Sequence, residues 1–173
     1  VHTLAAHANG LVRESNPLAM WIARRSPVKA VDPGLLDNLV GGGIAAGATV
    51  AGTLVKEAWE EAGVPASLAA QASPVGRLCI RRDQPDGLQW ETIFVHDLWL
   101  PDAFVPVNQD GEAVEHRRAT ARETATLIGN ETGADVMTAD AALVAFDALL
   151  RHVPPPGREG WRGRLAALTQ HRD

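Results

Sequence analysis

Three glutamates share one face of a predicted helix and are the side chains of this sequence best suited to chemistry. The helical spacing begins at Thr49, a candidate N-cap, and ends at Gly63, a C-terminal stop signal. Glu57, Glu60 and Glu61 lie at positions i, i+3 and i+4, so their carboxylates project from one side. Like charges at this spacing destabilise a helix by about 0.2–0.5 kcal/mol per pair. The face therefore predicts a neutralising cation.

A divalent cation would neutralise this face, and bulk solvent is the alternative. Mg²⁺ prefers carboxylate oxygens and water and is commonly shared with substrate phosphates. Mn²⁺ suits the same oxygen ligands. Three glycines, Gly41 to Gly43, precede the helix and would let a backbone carbonyl approach a metal or a phosphate closely. The spacing of the carboxylates alone does not decide between a metal site and a solvated acidic face.

The elements that must position this face are strands interleaved with helices. Apolar runs split by turn signals predict one strand hairpin near the N-terminus and a second around residues 84–87. This order predicts a mixed sheet covered by helices, of the α/β or α+β class, with three layers and one domain over residues 1–173. The predicted strands fall in 1–15, 18–26, 36–40, 74–82, 90–100 and 110–119, and the helices in 49–62, 119–129, 138–153 and about 157–173.

Composition and charge exclude several classes of protein. Sixteen basic against 21 acidic residues give a net charge of −5, the wrong sign for a protein that binds a nucleic-acid polymer. The single cysteine excludes an internal disulfide and a multi-cysteine metal site, which indicates a reducing compartment. No stretch approaches the roughly 20 apolar residues that span a bilayer, and the first residues do not resemble a signal peptide. We therefore expect a cytoplasmic protein without a membrane partner.

The segment 42–64 resembles a Nudix hydrolase box. That pattern is Gly, five residues, Glu, seven residues, Arg-Glu, an apolar residue, any residue, Glu-Glu, any residue, Gly and an apolar residue. The chain departs from it at two positions, with Ala48 in place of the first Glu and Lys56 in place of the Arg. The resemblance implies a Nudix-type α/β/α sandwich and a hydrolase acting on phosphorus-containing anhydrides. The matching residues are Gly42, Glu57, Ala58, Glu60, Glu61, Gly63 and Val64.

Most of residues 1–152 also resemble the Nudix subfamily related to the hydrolase region of fungal thiamine pyrophosphokinase proteins. This resemblance implies a Mg²⁺-dependent pyrophosphohydrolase that cleaves a small-molecule diphosphate, thiamine diphosphate or its oxidised analogues. One alternative is a hydrolase for nucleoside diphosphate derivatives such as ADP-ribose. Another is a catalytically weak diphosphate-binding module, because Ala48 and Lys56 replace a structural ion pair of the family. Many Nudix proteins form homodimers, although this sequence specifies no interface.

The resemblance also assigns roles to the acidic residues. Glu60 and Glu61 are the expected metal ligands, with Glu57 as a third ligand or as the group that orients the attacking water. The backbone carbonyl of Gly42 is a further expected ligand. A later acid usually completes the site as a distal ligand or general base, and Glu112 and Glu115 are the candidates. The sequence does not rank these two, and a polar turn followed by an edge strand is the alternative for both.

Basic residues upstream of the box are the expected contacts for a diphosphate. The resemblance points to Arg24, Arg25 and Lys29, and Arg and Lys suit phosphate oxygens as a planar fork and a point charge. Because side chains alternate along a strand, Arg24 and Arg25 cannot both face the site. Asn38 follows Asp37 and would either hydrogen-bond a substrate ring or form a turn.

Overall fold

The computed structural model describes residues 1–12, 16, 18–84 and 87–154. Both predicted hairpins, the helix predicted at 49–62 and the two later helices are confirmed, and a short helix at Ala66–Ala69 is an additional element. Residues 85–86 of the second hairpin turn and the predicted helix at about 157–173 lie outside the described residues. The strands are β1 (His2–Val12), β2 (Ala19–Arg25), β3 (Leu36–Asn38), β4 (Val40–Gly43), β5 (Ser73–Gln84), β6 (Gly87–Leu100) and β7 (Ala113–Thr120). The helices are α1 (Val50–Ala62), α2 (Ala66–Ala69), α3 (Ala121–Ile128) and α4 (Ala139–His152).

The strands form one mixed sheet in the order β3-β2-β1-β6-β5, with β4 also paired to β1 and β7 to β2. β1 runs parallel to β6 from His2↔Trp90 to Val12↔Leu100. The other strand pairs are antiparallel. The parallel pairing places residues from the start and the middle of the chain side by side, which no local sequence signal specifies.

Helices cover both faces of the sheet, as the sequence predicts. On one face, Leu54 and Ala58 of α1 pack in a buried cluster with Ala6 of β1. On the other face, Val144 of α4 packs in a cluster with Ala5. Consecutive residues of a strand point to opposite sides, so β1 is buried on both faces. In the described part of the chain, no helix combines the length and the apolar character needed to cross a membrane.

Both ends of α1 are fixed by the residues that the sequence indicates. The Thr49 side-chain oxygen accepts a hydrogen bond from the Gly52 N–H at 3.0 Å. At the other end, Gly63 adopts the left-handed conformation with φ 64° and ψ 25°, and its N–H donates to backbone carbonyls of the last turn. A Cβ at Gly63 would lie 2.8 Å from the Val107 carbonyl oxygen. These two caps therefore fix where α1 begins and ends, and with it the places of the three glutamates along the helix.

A buried carboxylate joins β6 to the end of α4. Asp97 is 2% exposed and accepts hydrogen bonds from Arg151 Nη2 at 3.0 Å and Asn9 Nδ2 at 3.2 Å. His152 Nε2 lies 2.6 Å from its other oxygen. Burial alone would raise the pKa of Asp97, but hydrogen bonds from Arg151 and His152 outweigh it and hold the pKa below its ordinary value.

We expect Asp97→Asn to lower the free energy of unfolding by about 3 kcal/mol at pH 7, because Arg151 loses a buried partner. The pKa of Asp97 is lower in the folded state, so its contribution is complete above about pH 4 and is lost as the pH falls through the folded pKa. Urea unfolding at pH 7 and at pH 3 measures both effects. Asp147→Asn, at the partly exposed partner of Arg151, is the control and should cost less than about 1 kcal/mol. Equal stability of Asp97→Asn and wild type at pH 7 would contradict this assignment.

Candidate active site

A strongly charged cavity of about 490 Å³ lies where β4, α1 and the beginning of α4 meet. Its wall includes the three glycines of β4 and several charged residues from other elements. From α1 it includes Glu57 and Glu60, which are called the two outer glutamates below. A second cavity of about 520 Å³ is walled by residues such as Ile80, Leu143 and Phe146 and has no carboxylate in its lining. The charged cavity is therefore the candidate active site. Its polar lining residues are His7, Arg25, Lys29, Asp32, Asp37, Lys56, Glu57, Glu60, Gln89, Glu91, Glu112, Thr138 and Asp140.

The glycines of β4 let the strand approach two side chains of the cavity. A Cβ at Gly42 would lie 2.5 Å from the Glu57 carboxyl carbon, and one at Gly41 would lie 2.9 Å from the His7 ring. A Cβ at Gly43, in contrast, would meet nothing within 4 Å. The close approach of backbone to Glu57 thus requires glycine at position 42 and leaves position 43 unconstrained.

Lys56 is the cation that neutralises the two outer glutamates. Its Nζ lies 3.0 Å from Glu57 Oε1 and 2.5 Å from Glu60 Oε2. The hydrogen bonds to Glu60 and then to Glu57 raise the pKa of Lys56. In the Nudix box this position is an Arg and position 48 a Glu, but Ala48 offers Lys56 no carboxylate. The neutralising cation predicted for the glutamate face is therefore present within the chain itself.

Glu61 differs from Glu57 and Glu60 because it is buried. It is 9% exposed, and its Oε2 accepts a hydrogen bond from the Gly41 N–H at 2.8 Å. Burial raises the pKa of Glu61 well above its usual range, and the nearby carboxylate of Asp37 adds to the rise. The Glu61 carboxylate thus links α1 to the glycine strand β4.

The structure brings Arg25, and not Arg24, to the cavity. Arg25 Nη1 lies 2.6 Å from Asp37 Oδ2, and its Nη2 donates to the Val31 carbonyl at 2.9 Å. Arg24 pairs with Glu115 at 2.8 Å and with Asp135 at 2.6 Å, outside the cavity lining. A register shift in the β2–β7 pairing falls between the two arginines, and such irregularities re-aim side chains.

The same pairing separates the two later acids. Glu112 lies just before β7, lines the cavity and pairs with Lys29, which also lines it. Glu115 stands opposite Arg24 in the β2–β7 register and accepts a hydrogen bond from that arginine. The structure therefore places Glu112 and Lys29 together with the glutamate face and does not bring Glu115 to it.

Asn38 lies behind the cavity wall, where it connects β1 to α4 through hydrogen bonds. It is 3% exposed, and its Oδ1 lies 2.9 Å from His7 Nδ1. Its Nδ2 donates to the Ala141 carbonyl of α4 at 3.3 Å. Both polar groups of the Asn38 side chain thus bond within the protein. Its partner His7 lines the cavity, whereas Asn38 does not.

The donor set of the cavity fits a hard divalent cation. No group of three or more His, Cys, Asp or Glu side chains in the described ranges has the arrangement of a metal site. Mg²⁺, however, is commonly held by one or two carboxylates, with water and substrate phosphates completing its coordination. Glu57 and Glu60 already share one cation, the ammonium group of Lys56. These two carboxylates would hold a metal ion if Lys56 moved away.

Several residues of the cavity could not be assigned to the site from the sequence. Gln89 and Glu91 come from β6 and Asp140 from the first turn of α4, all far from the Nudix-like segment. They reach the cavity because β6 pairs in parallel with β1 and α4 packs over that face. Alternating polarity in β6 places Gln89 and Glu91 on one side, but only the strand pairing shows which side faces the cavity.

The fold and site define an α+β domain whose glutamate-bearing helix borders a charged cavity. The NUDIX domain family model matches residues 2–141. Nudix hydrolase 20, chloroplastic, of Arabidopsis thaliana is 36% identical over 154 residues, which cover 84% of this chain and 38% of that protein. Nudix hydrolase 24, chloroplastic, of the same plant is 37% identical over 156 residues, covering 86% and 40%. The chain therefore belongs to the NUDIX domain family, and it spans about two fifths of the length of these relatives.

The comparison with solved structures confirms the mixed-sheet fold. The NUDIX domain of Shewanella oneidensis NrtR, complexed with ADP ribose, superposes with a TM-score of 0.65 at 14% identity. The match covers 87% of this chain and 88% of that one. The family resemblance stated from segment 42–64 is confirmed by the family model and the two plant relatives. The expected cytoplasmic location stays a prediction, and the two plant relatives are named as chloroplastic.

Gly42→Ala and Gly43→Ala form a matched pair that tests the approach of β4 to Glu57. The added Cβ at position 42 must displace the flexible Glu57 side chain, whereas the one at position 43 meets nothing. We expect both variants to unfold within about 1 kcal/mol of wild type, since the displaced group is the end of a side chain. Titration with Mn²⁺ should show weaker binding for Gly42→Ala only. Equal Mn²⁺ affinity in the two variants would show that Glu57 needs no fixed position.

Proposed function

We propose that this protein is a divalent-metal-dependent hydrolase that cleaves a diphosphate linkage in a small molecule. The observation that carries the proposal is the convergence of Glu57 and Glu60 on one cation, in a cavity that also contains Arg25 and Lys29. Family membership supports the reaction class, because both plant relatives are named Nudix hydrolases. Carboxylates for a metal and cations for phosphate oxygens are the two components that such a reaction requires.

The metal ligands in this proposal are Glu57, Glu60 and the Gly42 carbonyl, with Glu61 behind them. A bound divalent cation would neutralise charge on the diphosphate and lower the pKa of a bound water. Glu61 would join the ligand set through its Oε1, because its Oε2 accepts the hydrogen bond from the Gly41 N–H. Its more immediate contribution is to hold α1 against β4, and thereby to keep the other two glutamates in place.

The remaining cavity residues bind and orient the substrate. Arg25 and Lys29 contact the diphosphate oxygens, exchanging part of their pairing with Asp37 and Glu112. Glu112, once released from Lys29, orients the attacking water or accepts its proton, because it is the later acid that lines the cavity. Glu115 and Arg24 hold β2 against β7 and take no part in the reaction.

Thiamine diphosphate or an oxidised analogue is the substrate that we favour, on the subfamily resemblance. An ADP-ribose-like compound is the second candidate, because the NrtR NUDIX domain was solved with ADP ribose. A catalytically weak binding module is the third, since Lys56 already neutralises the two carboxylates that would hold the metal. We also propose that residues 1–173 form a single domain.

Hydrolysis assays with Mg²⁺ and with Mn²⁺ test the reaction class and the substrate together. The substrates are thiamine diphosphate, its oxidised analogues, ADP-ribose and deoxynucleoside triphosphates. We expect Glu57→Gln and Glu60→Gln to lower kcat by about a hundredfold or more. Loss of a residue that only hydrogen-bonds to a metal ligand already lowers metal affinity or activity by roughly 10- to 100-fold. Glu131→Gln, at an exposed carboxylate outside the cavity lining, is the control and should retain activity. Turnover that survives in both cavity variants would refute the metal assignment.

Lys56→Gln tests whether the internal cation competes with the metal. Removing the ammonium group leaves Glu57 and Glu60 without a neutralising partner, so Mn²⁺ affinity should rise by about two- to fivefold, the range for one exposed ion pair. The gain should shrink at high salt because screening weakens the charges. Arg122→Gln, which removes an exposed cation from α3, is the matched control and should leave the titration unchanged. Weaker Mn²⁺ binding in Lys56→Gln would mean that the lysine supports the metal site.

A further inference from the structure

The cavity has a second wall, formed by β6 and the start of α4, that is acidic. Gln89 and Glu91 of β6 and Asp140 of α4 lie together there. Gln89 Nε2 is 3.4 Å from Glu91 Oε2 and 3.5 Å from Asp140 Oδ2, so one amide sits between two carboxylates. Arg82 Nε donates to Gln89 Oε1 at 2.5 Å, which directs the NH₂ group of the amide towards the carboxylates.

One acceptor on this wall is buried and unused. Asp140 Oδ1 has less than 1 Å² of accessible surface, and no described residue donates a hydrogen bond to it. Burial raises the pKa of Asp140, the charge of Glu91 adds to the rise, and Arg82 and His7 oppose it. A buried acceptor without a donor costs free energy, which a ligand's N–H group would recover if the Asp140 carboxylate turned towards the cavity. The wall is thus built to accept hydrogen bonds.

The two walls differ in the charged groups that they present. The wall around α1 and the loop after β2 presents Arg25, Lys29 and Lys56, which suit phosphate oxygens, beside the carboxylates that pair with them. The wall of β6 and α4 presents Glu91 and Asp140. A ligand that fills both regions would therefore carry its anionic group at one end and a positive charge or N–H donors at the other.

We infer that Glu91 and Asp140 select substrates whose non-phosphate portion is a protonated amine or another cationic, N–H-bearing group. This inference rests on the proposed function for the diphosphate end of the substrate. Glu91 also accepts a hydrogen bond from Thr3 Oγ1 at 3.0 Å, which fixes its carboxylate on the wall. The two carboxylates determine specificity and do not touch the reacting phosphorus.

Two diphosphates of equal length test the inference directly. 5-Aminopentyl diphosphate and hexyl diphosphate differ by a terminal ammonium group in place of a methyl group. Calorimetric binding without divalent metal gives an affinity ratio free of turnover, and assays with Mg²⁺ give the ratio of kcat/KM. We expect wild type to prefer the amine by about tenfold or more in both ratios, as for hydrogen bonds to charged groups.

Glu91→Gln and Asp140→Asn are nearly isosteric and should each reduce the preference to about threefold or less. Glu131→Gln, an exposed carboxylate outside the cavity lining, should keep the wild-type ratio. Asp140 lies in the first turn of α4 and its replacement affects that helix, so Glu91→Gln in β6 provides the independent variant. Thermal unfolding of each variant checks that the fold persists.

The possible outcomes separate this inference from the proposed function. If neither diphosphate is hydrolysed but the binding preference exists and disappears in the variants, the inference holds and the hydrolase proposal fails. If both are hydrolysed equally well, the hydrolase proposal holds and the inference is wrong. If Glu91→Gln loses Mn²⁺ affinity and keeps the amine preference, the acidic wall is a cation site and the inference is also wrong.

Discussion

Electrostatic repulsion among carboxylates is the constraint on which the construction of the cavity depends. Carboxylates from α1, β3, β6, α4 and the loops before β3 and β7 border a single space, where their mutual repulsion is stronger than in bulk water. The fold meets this constraint by giving most of them a cation or an N–H donor. The pairs are Arg25 with Asp37, Lys29 with Glu112, and Lys56 with Glu57 and Glu60. Glu61, which is buried outside the cavity lining, accepts the Gly41 N–H.

This set of pairs makes the cavity responsive to a ligand. Lys29 and Lys56 are long side chains that can leave a carboxylate when a phosphate or a metal ion offers a stronger interaction. Glu61 is different, because its bond to the backbone of β4 and its burial fix the helix itself. The framework of the site is therefore held by backbone and buried contacts, while its charged surface is free to exchange partners.

The sequence predicts much of the fold because the relevant signals are local. Thr49 and Gly63 delimit α1, and the turn signals delimit the hairpins, since capping and turn formation involve residues only a few positions apart. The seven matched positions of segment 42–64 likewise lie within one stretch of chain, so the family was predictable from them. The parallel pairing of β1 with β6 carries no such local signal.

The sequence by itself thus determined the helix, its glutamates and the family of the protein. Only the tertiary structure decided which charged residues share the cavity. A register shift between β2 and β7 selects Arg25 over Arg24, and the pairing of β7 leaves Glu112 in the cavity while it engages Glu115. Glu91 and Asp140 meet through contacts between residues 88 and 51 positions apart along the chain, such as Thr3–Glu91 and Gln89–Asp140. Side-chain alternation limits each residue to one face of its strand, but the packing of distant elements determines what that face meets.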